Sequence, residues 1–377
     1  MLRPASALCL CVLAALPACS GLPAALSRLP SEHGGPLEVQ WRRLLTEPPL
    51  VEYKPQEFAS ATTDGTFVFV GSKGGSLWAL RPLDGGEGWR KHIPGGVSSR
   101  PLYLPESRTV LVGGDDGVLY GLDARTGNER FTYRTKGPIG GTPVFADGLI
   151  YFANGESRIY AIDAATGAWR WQYEREAPET FTIRGIGTPL AHGGRVYAGF
   201  SDGHLAALNA RTGEVIWARS LAGDATRFVD VDAPPVIEGD TLYAASYSGG
   251  LYAMDPASGD VKWRFAAEGA TSVQVSGDRV YFAATRTGVH CLDLQGRIVW
   301  RQGLAAQGEL SAISLLRDRY LLVSAADAGT YVVDARSGTL LQFFRPGKGV
   351  PAPPSSDGNS VFVLTNTGWF YSFALSG

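Results

Sequence analysis

One pattern recurs along most of this 377-residue chain: a strand-like run, a glycine-bearing turn, a second run ending in Leu/Ile-Asp, then x-x-Thr/Ser-Gly and an aromatic segment. The clearest copies are Leu119-Tyr120-Gly121-Leu122-Asp123-Ala124-Arg125-Thr126-Gly127 and Ile159-Tyr160-Ala161-Ile162-Asp163-Ala164-Ala165-Thr166-Gly167. Further copies centre on Asn209 to Gly213, Asp255 to Gly259, Asp293 to Gly296 and Asp334 to Gly338. The segment after each glycine carries Trp171, Trp217, Trp263 or Trp300, with Phe131 and Phe343 in weaker copies. An early copy, Leu77-Trp78-Ala79-Leu80 followed by Trp89, has a degraded turn, and Phe370-Tyr371-Ser372-Phe373 ends the series. A single unit of this kind cannot bury its own apolar face, so the units must stack on one another.

Each second run follows a first one, at Phe67 to Val70, Val110 to Gly113, Ile150 to Ala153, Val196 to Gly199, Leu242 to Ala245, Val280 to Ala283, Tyr320 to Val323 and Val361 to Leu364, making eight units. Spread over residues 37–377, they average about 43 residues, within the roughly 40–50 of a four-stranded propeller blade. The apolar alternation is period two and is broken by glycine every ten residues or so, which excludes helical repeats. Glycine, at 48 of 377 residues, is nearly twice as frequent as usual, as many tight turns require. The expectation is an all-β, eight-bladed β-propeller of four-stranded antiparallel blades. Leu37-Glu38-Val39-Gln40-Trp41-Arg42 is a strand-like segment outside the series, and it is expected to supply the outer strand of the last blade and close the ring. In the motif itself, Asp or Asn is expected to bind turn amides, Gly to supply positive φ, and the aromatic to cover the seam to the next blade.

The first 18 residues read as an export signal: Arg3 precedes an apolar run, Ala7 to Leu16, that is too short to span a bilayer. Leu16-Pro17-Ala18-Cys19 resembles a bacterial lipobox, with Pro17 where Ala or Ser is usual. That resemblance implies lipidation of Cys19, and Ser20 after it implies the outer membrane. Residues 19–36, rich in Ser, Pro, Gly and Ala, read as the lipidated cysteine and a flexible tether, leaving 37–377 as the propeller. Of the remaining cysteines only Cys291 lies in the body, inside a strand pattern where an inert buried thiol is expected.

Chemistry is hard to find. A formal charge of −2 provides no field for nucleic acid. The five histidines, His33, His92, His192, His204 and His290, are scattered and read as turn or surface residues. Asp115-Asp116-Gly117 reads as a hairpin turn, and the Gly-Gly pairs do not precede a helix that could cradle phosphate. No metal, cofactor or catalytic site is read. What departs from regularity is spacing: successive Asp/Asn positions lie 40, 46, 46, 38 and 41 residues apart from Asp123 to Asp334. The two long intervals are consecutive. Their extra residues precede expected innermost strands at Ile183 to Pro189 and Val229 to Pro235, placing Arg184 and Asp230 at equivalent positions on neighbouring blades.

The Asp-x-x-Thr-Gly and Trp repeat resembles the quinoprotein-type (PQQ-like) propeller repeat. Within it, Phe181-Thr182-Ile183-Arg184-Gly185 and Asp230-Val231-Asp232 resemble the corresponding segments of the BamB family, outer-membrane protein assembly lipoproteins. The resemblance implies a non-enzymatic scaffold that binds the POTRA domains of BamA and joins other barrel-assembly components as a monomer in a hetero-complex. It implies apolar contacts from Phe181, where an aliphatic residue is typical, and Ile183, and charged contacts from Arg184, Asp230 and Asp232. It also implies a periplasmic location, lipid-anchored to the outer membrane. The alternative is a periplasmic quinoprotein oxidoreductase or small-ligand propeller, against which stand the lack of a Cys-Cys pair and of a Cys-x-x-Cys-His haem motif.

Overall fold

The computed structural model describes residues 34–46, 56–175, 187–225, 227–304 and 309–376. They form eight four-stranded antiparallel sheets, seven of them running in sequence order from the inner to the outer strand. Blade 1 comprises Ala61–Thr63, Val68–Ser72, Ser76–Leu80 and Glu87–His92. Blades 2 to 7 follow over 102–134, 144–174, 190–220, 236–265, 270–302 and 310–344. Blade 8 takes three strands from 355–375 and its outer strand, Leu37–Leu44, from the other end of the chain. That strand pairs antiparallel with Trp369–Leu375, from Leu37 opposite Leu375 to Leu44 opposite Trp369, so the expected closure is present. Pro36 continues it, accepting the Ser376 N–H at 2.8 Å.

The repeat motif works as its chemistry suggests. Asp123 Oδ1 accepts the N–H groups of Arg125 and Thr126 and the Thr126 hydroxyl, and Asp163, Asn209, Asp255 and Asp334 bind their own turn amides alike. The turn glycine has left-handed φ, +75° at Gly213, and a Cβ there would lie 2.7 Å from the Trp171 ring of the preceding blade. Gly therefore serves twice: it permits the turn and leaves room for the indole. The indole N–H completes the seam, with Trp89 donating to Ala124 O, Trp171 to Ala210 O, Trp217 to Pro256 O, Trp263 to Leu294 O and Trp300 to Ala335 O, all within 2.8–3.1 Å. Trp41 donates to Pro82 O at 2.7 Å and carries the same contact from the closing blade to blade 1.

One seam differs from the sequence expectation. In every blade the outer strand is bulged, and the seam aromatic sits directly after the bulge, as Trp300 does opposite Cys291. In blade 7 that register position belongs to Gln342, opposite Val332, not to Phe343. Phe343 turns inward and stacks on Tyr331, with centroids 4.2 Å apart. Gln342 accepts the Leu37 N–H at 2.8 Å and donates to Leu37 O at 2.9 Å. The reason is chemical: blade 8 offers a strand start here in place of an Asp turn, so both a donor and an acceptor are needed, and an indole has no acceptor.

Two further expectations are corrected. Val229 to Pro235 is not an innermost strand but an extended approach; the strand is Val236–Glu238, and in the preceding blade it begins at Leu190. His290 is not a turn or surface residue. It is 3% exposed, stacks on Phe282 at 4.6 Å, and pairs through Nε2 with the Thr287 hydroxyl; burial pushes its pKa down to about 4, so the neutral ring acts as a core aromatic. Cys291 beside it is fully buried, its thiol pushed up to about 12 by burial, as an inert side chain should be. Asp115-Asp116-Gly117 is a turn, with Asp115 held by Lys73 at 2.7 Å and Asp116 accepting from the Tyr120 hydroxyl.

Candidate functional site

The antiparallel order of each blade sorts its loops. Turns between strands one and two and between three and four lie on one face of the ring, while turns between strands two and three share the opposite face with the connectors between blades. The two long connectors, from blade 3 to 4 and from blade 4 to 5, therefore open onto the same face. Phe181, Ile183 and Arg184 belong to the first and lie outside the described residues, as do Cys19 and the export signal. Asp230 and Asp232 belong to the second.

The first connector leaves blade 3 at Arg175, whose N–H donates to Ser157 O at 3.2 Å and whose Nε meets Asp202 Oδ2 of blade 4 at 2.6 Å. Burial alone would lower the Arg175 pKa, but the Asp202 carboxylate and the Tyr173 hydroxyl outweigh it and hold the guanidinium charged. The described chain resumes at Gly187. A Cβ at Gly187 would lie 3.6 Å from Asp232 O and 3.7 Å from Val231 O, so the end of the first connector rests against the second.

The second connector is pinned from below. Val231, 1% exposed, packs among Tyr197, Leu205, Trp217 and Leu221, and its N–H donates to Phe200 O at 3.2 Å. Asp230 O accepts the Tyr247 N–H at 3.1 Å, and Val229 O accepts the Ser246 hydroxyl at 3.5 Å. This anchorage separates the two carboxylates: Asp230 is 1% exposed, whereas Asp232 is half-buried at the surface. The pair therefore has one member inside the loop and one at its surface, a division the sequence did not show. The sequence reading also missed Phe228, which stands 48% exposed at the head of the loop. Its only sequence signal was an aromatic following a run of Gly, Ala, Thr and charged residues.

Five other exposed apolar side chains follow the repeat and do not define a site. Val39, Trp169, Val215, Val261 and Ile298 each lie two residues before a seam tryptophan, so they recur with the repeat and reflect strand propensity. Among the described residues, no three His, Cys, Asp or Glu side chains gather to hold a metal ion.

Comparison with known proteins bears on this arrangement. The family model described as outer membrane protein assembly factor BamB matches residues 104–295, just over half of the 377-residue chain. The chain belongs to the BamB family. The match includes blades 4 and 5 and both long connectors. A BamB from Nitrosomonas eutropha is 26% identical over 141 residues, an alignment spanning 36% of this chain and 32% of that protein's length. In three dimensions, BamB from Moraxella catarrhalis superimposes with a TM-score of 0.76 over 90% of this chain and 99% of its own, at 20% identity. A quinohemoprotein alcohol dehydrogenase from Pseudomonas putida HK5 superimposes with a TM-score of 0.72 over 91% of this chain and 77% of its own, at 14% identity. At those identities the two structures share the fold with this chain, and the fold alone does not choose between them.

Proposed function

We propose that this protein is a non-enzymatic scaffold of outer-membrane β-barrel assembly that binds the POTRA domains of BamA. The observation that carries the reading is the family match across residues 104–295, which spans the two consecutive long connectors. Phe181 and Ile183 provide apolar contact, Arg184 and Asp232 provide charges that orient the partner, and the buried Asp230 shapes the loop from inside. Lipid on Cys19 holds the propeller at the periplasmic side of the outer membrane, within reach of the assembly machinery.

Purified POTRA domains provide the test. Arg184→Glu and Asp232→Arg are expected to weaken binding by about 1 kcal/mol if their charges stay at a wet rim, and by a few kcal/mol if the complex desolvates them. Variants that fold normally and bind fully would remove these residues from the site. Mass spectrometry of the mature N-terminal peptide tests the anchor: acylated Cys19 is expected, and an unmodified thiol contradicts it. The quinoprotein alternative rests on the shared dehydrogenase fold. It predicts a change in the absorbance spectrum of the quinone on mixing with purified protein, whereas the scaffold reading predicts none.

A further inference from the structure

Phe228 combines two features that rarely occur together. Its backbone is left-handed, φ +54°, a conformation that crowds any Cβ and is unusual for a large aromatic. Its side chain does not repay that strain by burial, since it is 48% exposed and, among the described residues, its one aromatic neighbour is Tyr247, edge-on at 6.4 Å. Pro94 and Lys136, three residues before Val97 and Ile139 at the same approach in blades 2 and 3, are not left-handed, but blade 8 has a left-handed residue at this place. Val350 occupies the position of Val231, each donating its N–H to the carbonyl that follows the second strand's core of the preceding blade, Ala325 and Phe200 respectively. Three residues before Val350 stands Gly347, also left-handed at φ +100°. Glycine thus suffices for the turn, and in blade 5 a phenylalanine is held in a place that favours glycine. Strain of this kind persists where the side chain has a use outside the fold.

The backbone that follows the ring is also held in place. The next three residues are fixed by the hydrogen bonds of Val229, Asp230 and Val231 and by burial of the Val231 side chain, so little conformational freedom is left to lose on binding. Asp232, half-buried, lies four residues further along the same pinned loop. We propose that Phe228 is an apolar anchor of the partner-binding surface, docking into an apolar pocket of a POTRA domain whose edge presents hydrogen-bond donors to Asp232. This rests on the partner reading above and extends it to a residue that the sequence did not single out. An exposed aromatic on a hydrogen-bonded loop that also carries a carboxylate matches the anatomy of an interface hot spot, with an apolar centre and a polar margin.

Because the backbone prefers glycine, the test separates binding from folding. Phe228→Gly removes the ring and relieves the left-handed strain, so its melting temperature is expected to equal or exceed that of the parent protein, while affinity for the purified POTRA domains falls at least tenfold. Phe228→Tyr, which keeps the ring, is expected to retain binding. If Phe228→Gly binds within twofold of the parent, or if its melting temperature drops by several degrees because the ring braces the loop, the anchor assignment is overturned while the partner reading stands. If the parent protein does not bind POTRA domains at all, the partner reading fails and this assignment fails with it.

Discussion

Glu57 is the residue whose chemistry departs furthest from its surroundings. It occupies the approach to the inner strand of blade 1, where blades 2, 3, 5 and 8 bury Val97, Ile139, Val231 and Val350. At 2% exposure its carboxylate accepts the Lys73 N–H at 2.9 Å, while the Lys73 ammonium is engaged by Asp115. Burial raises the pKa from 4.5 to about 7, only partly opposed by the Lys73 N–H and charge. The folded state then binds more protons than the unfolded state between those two values, so stability is fully present below pH 4.5, falls as pH rises, and levels off above 7. The loss amounts to about 3 kcal/mol at most. Glu57→Gln retains an acceptor for Lys73 and cannot ionise. Urea denaturation should find it more stable than the parent at pH 8 and nearly equal at pH 4.5, and an equal difference at both pH values would contradict the assignment. A sequence shows that a glutamate lies before a strand, but not that the approach is buried, since burial there comes from neighbouring blades.

At the scale of the element, the outer strands join one blade to the next, and two seams test how. Trp217→Phe removes the hydrogen bond to Pro256 O and preserves most of the buried ring, so a cost of about 1 kcal/mol is expected in thermal or chemical denaturation. Gln342→Leu strips both partners from Leu37 at the closing seam and leaves a buried N–H and C=O unpaired. That should cost about 2–4 kcal/mol, clearly more than the tryptophan variant; equal effects would mean that Gln342 is not what holds this junction. The sequence pattern identified Trp171, Trp217, Trp263 and Trp300 as seam residues because each stands at a constant distance from its turn glycine. It misassigned Phe343, since aromatic character is a sound guide only where the next blade offers a bare carbonyl, and blade 8 does not.

For the whole molecule, the decisive element is the strand Leu37–Leu44, which couples the two ends of the chain and leaves blade 8 with four strands like the others. Deleting residues 37–42 should uncover the edge of Trp369–Leu375, lower the melting temperature and promote self-association in analytical ultracentrifugation. A monomeric truncation with unchanged melting behaviour would show that the ring does not depend on this closure. The sequence by itself determined the strand period, the Asp and Gly turns, the number of blades and the strand that closes them. Each of these is written within a window of about ten residues or in the regular return of that window, where local backbone preference and alternation act directly. Tertiary structure alone decided that Asp230 is buried and Asp232 is not, that Phe228 stands out in a left-handed turn, and that Gln342 meets Leu37 across 305 residues of chain. Burial and seam pairing depend on which residues of other blades arrive at the same place, and that is set only when the ring closes.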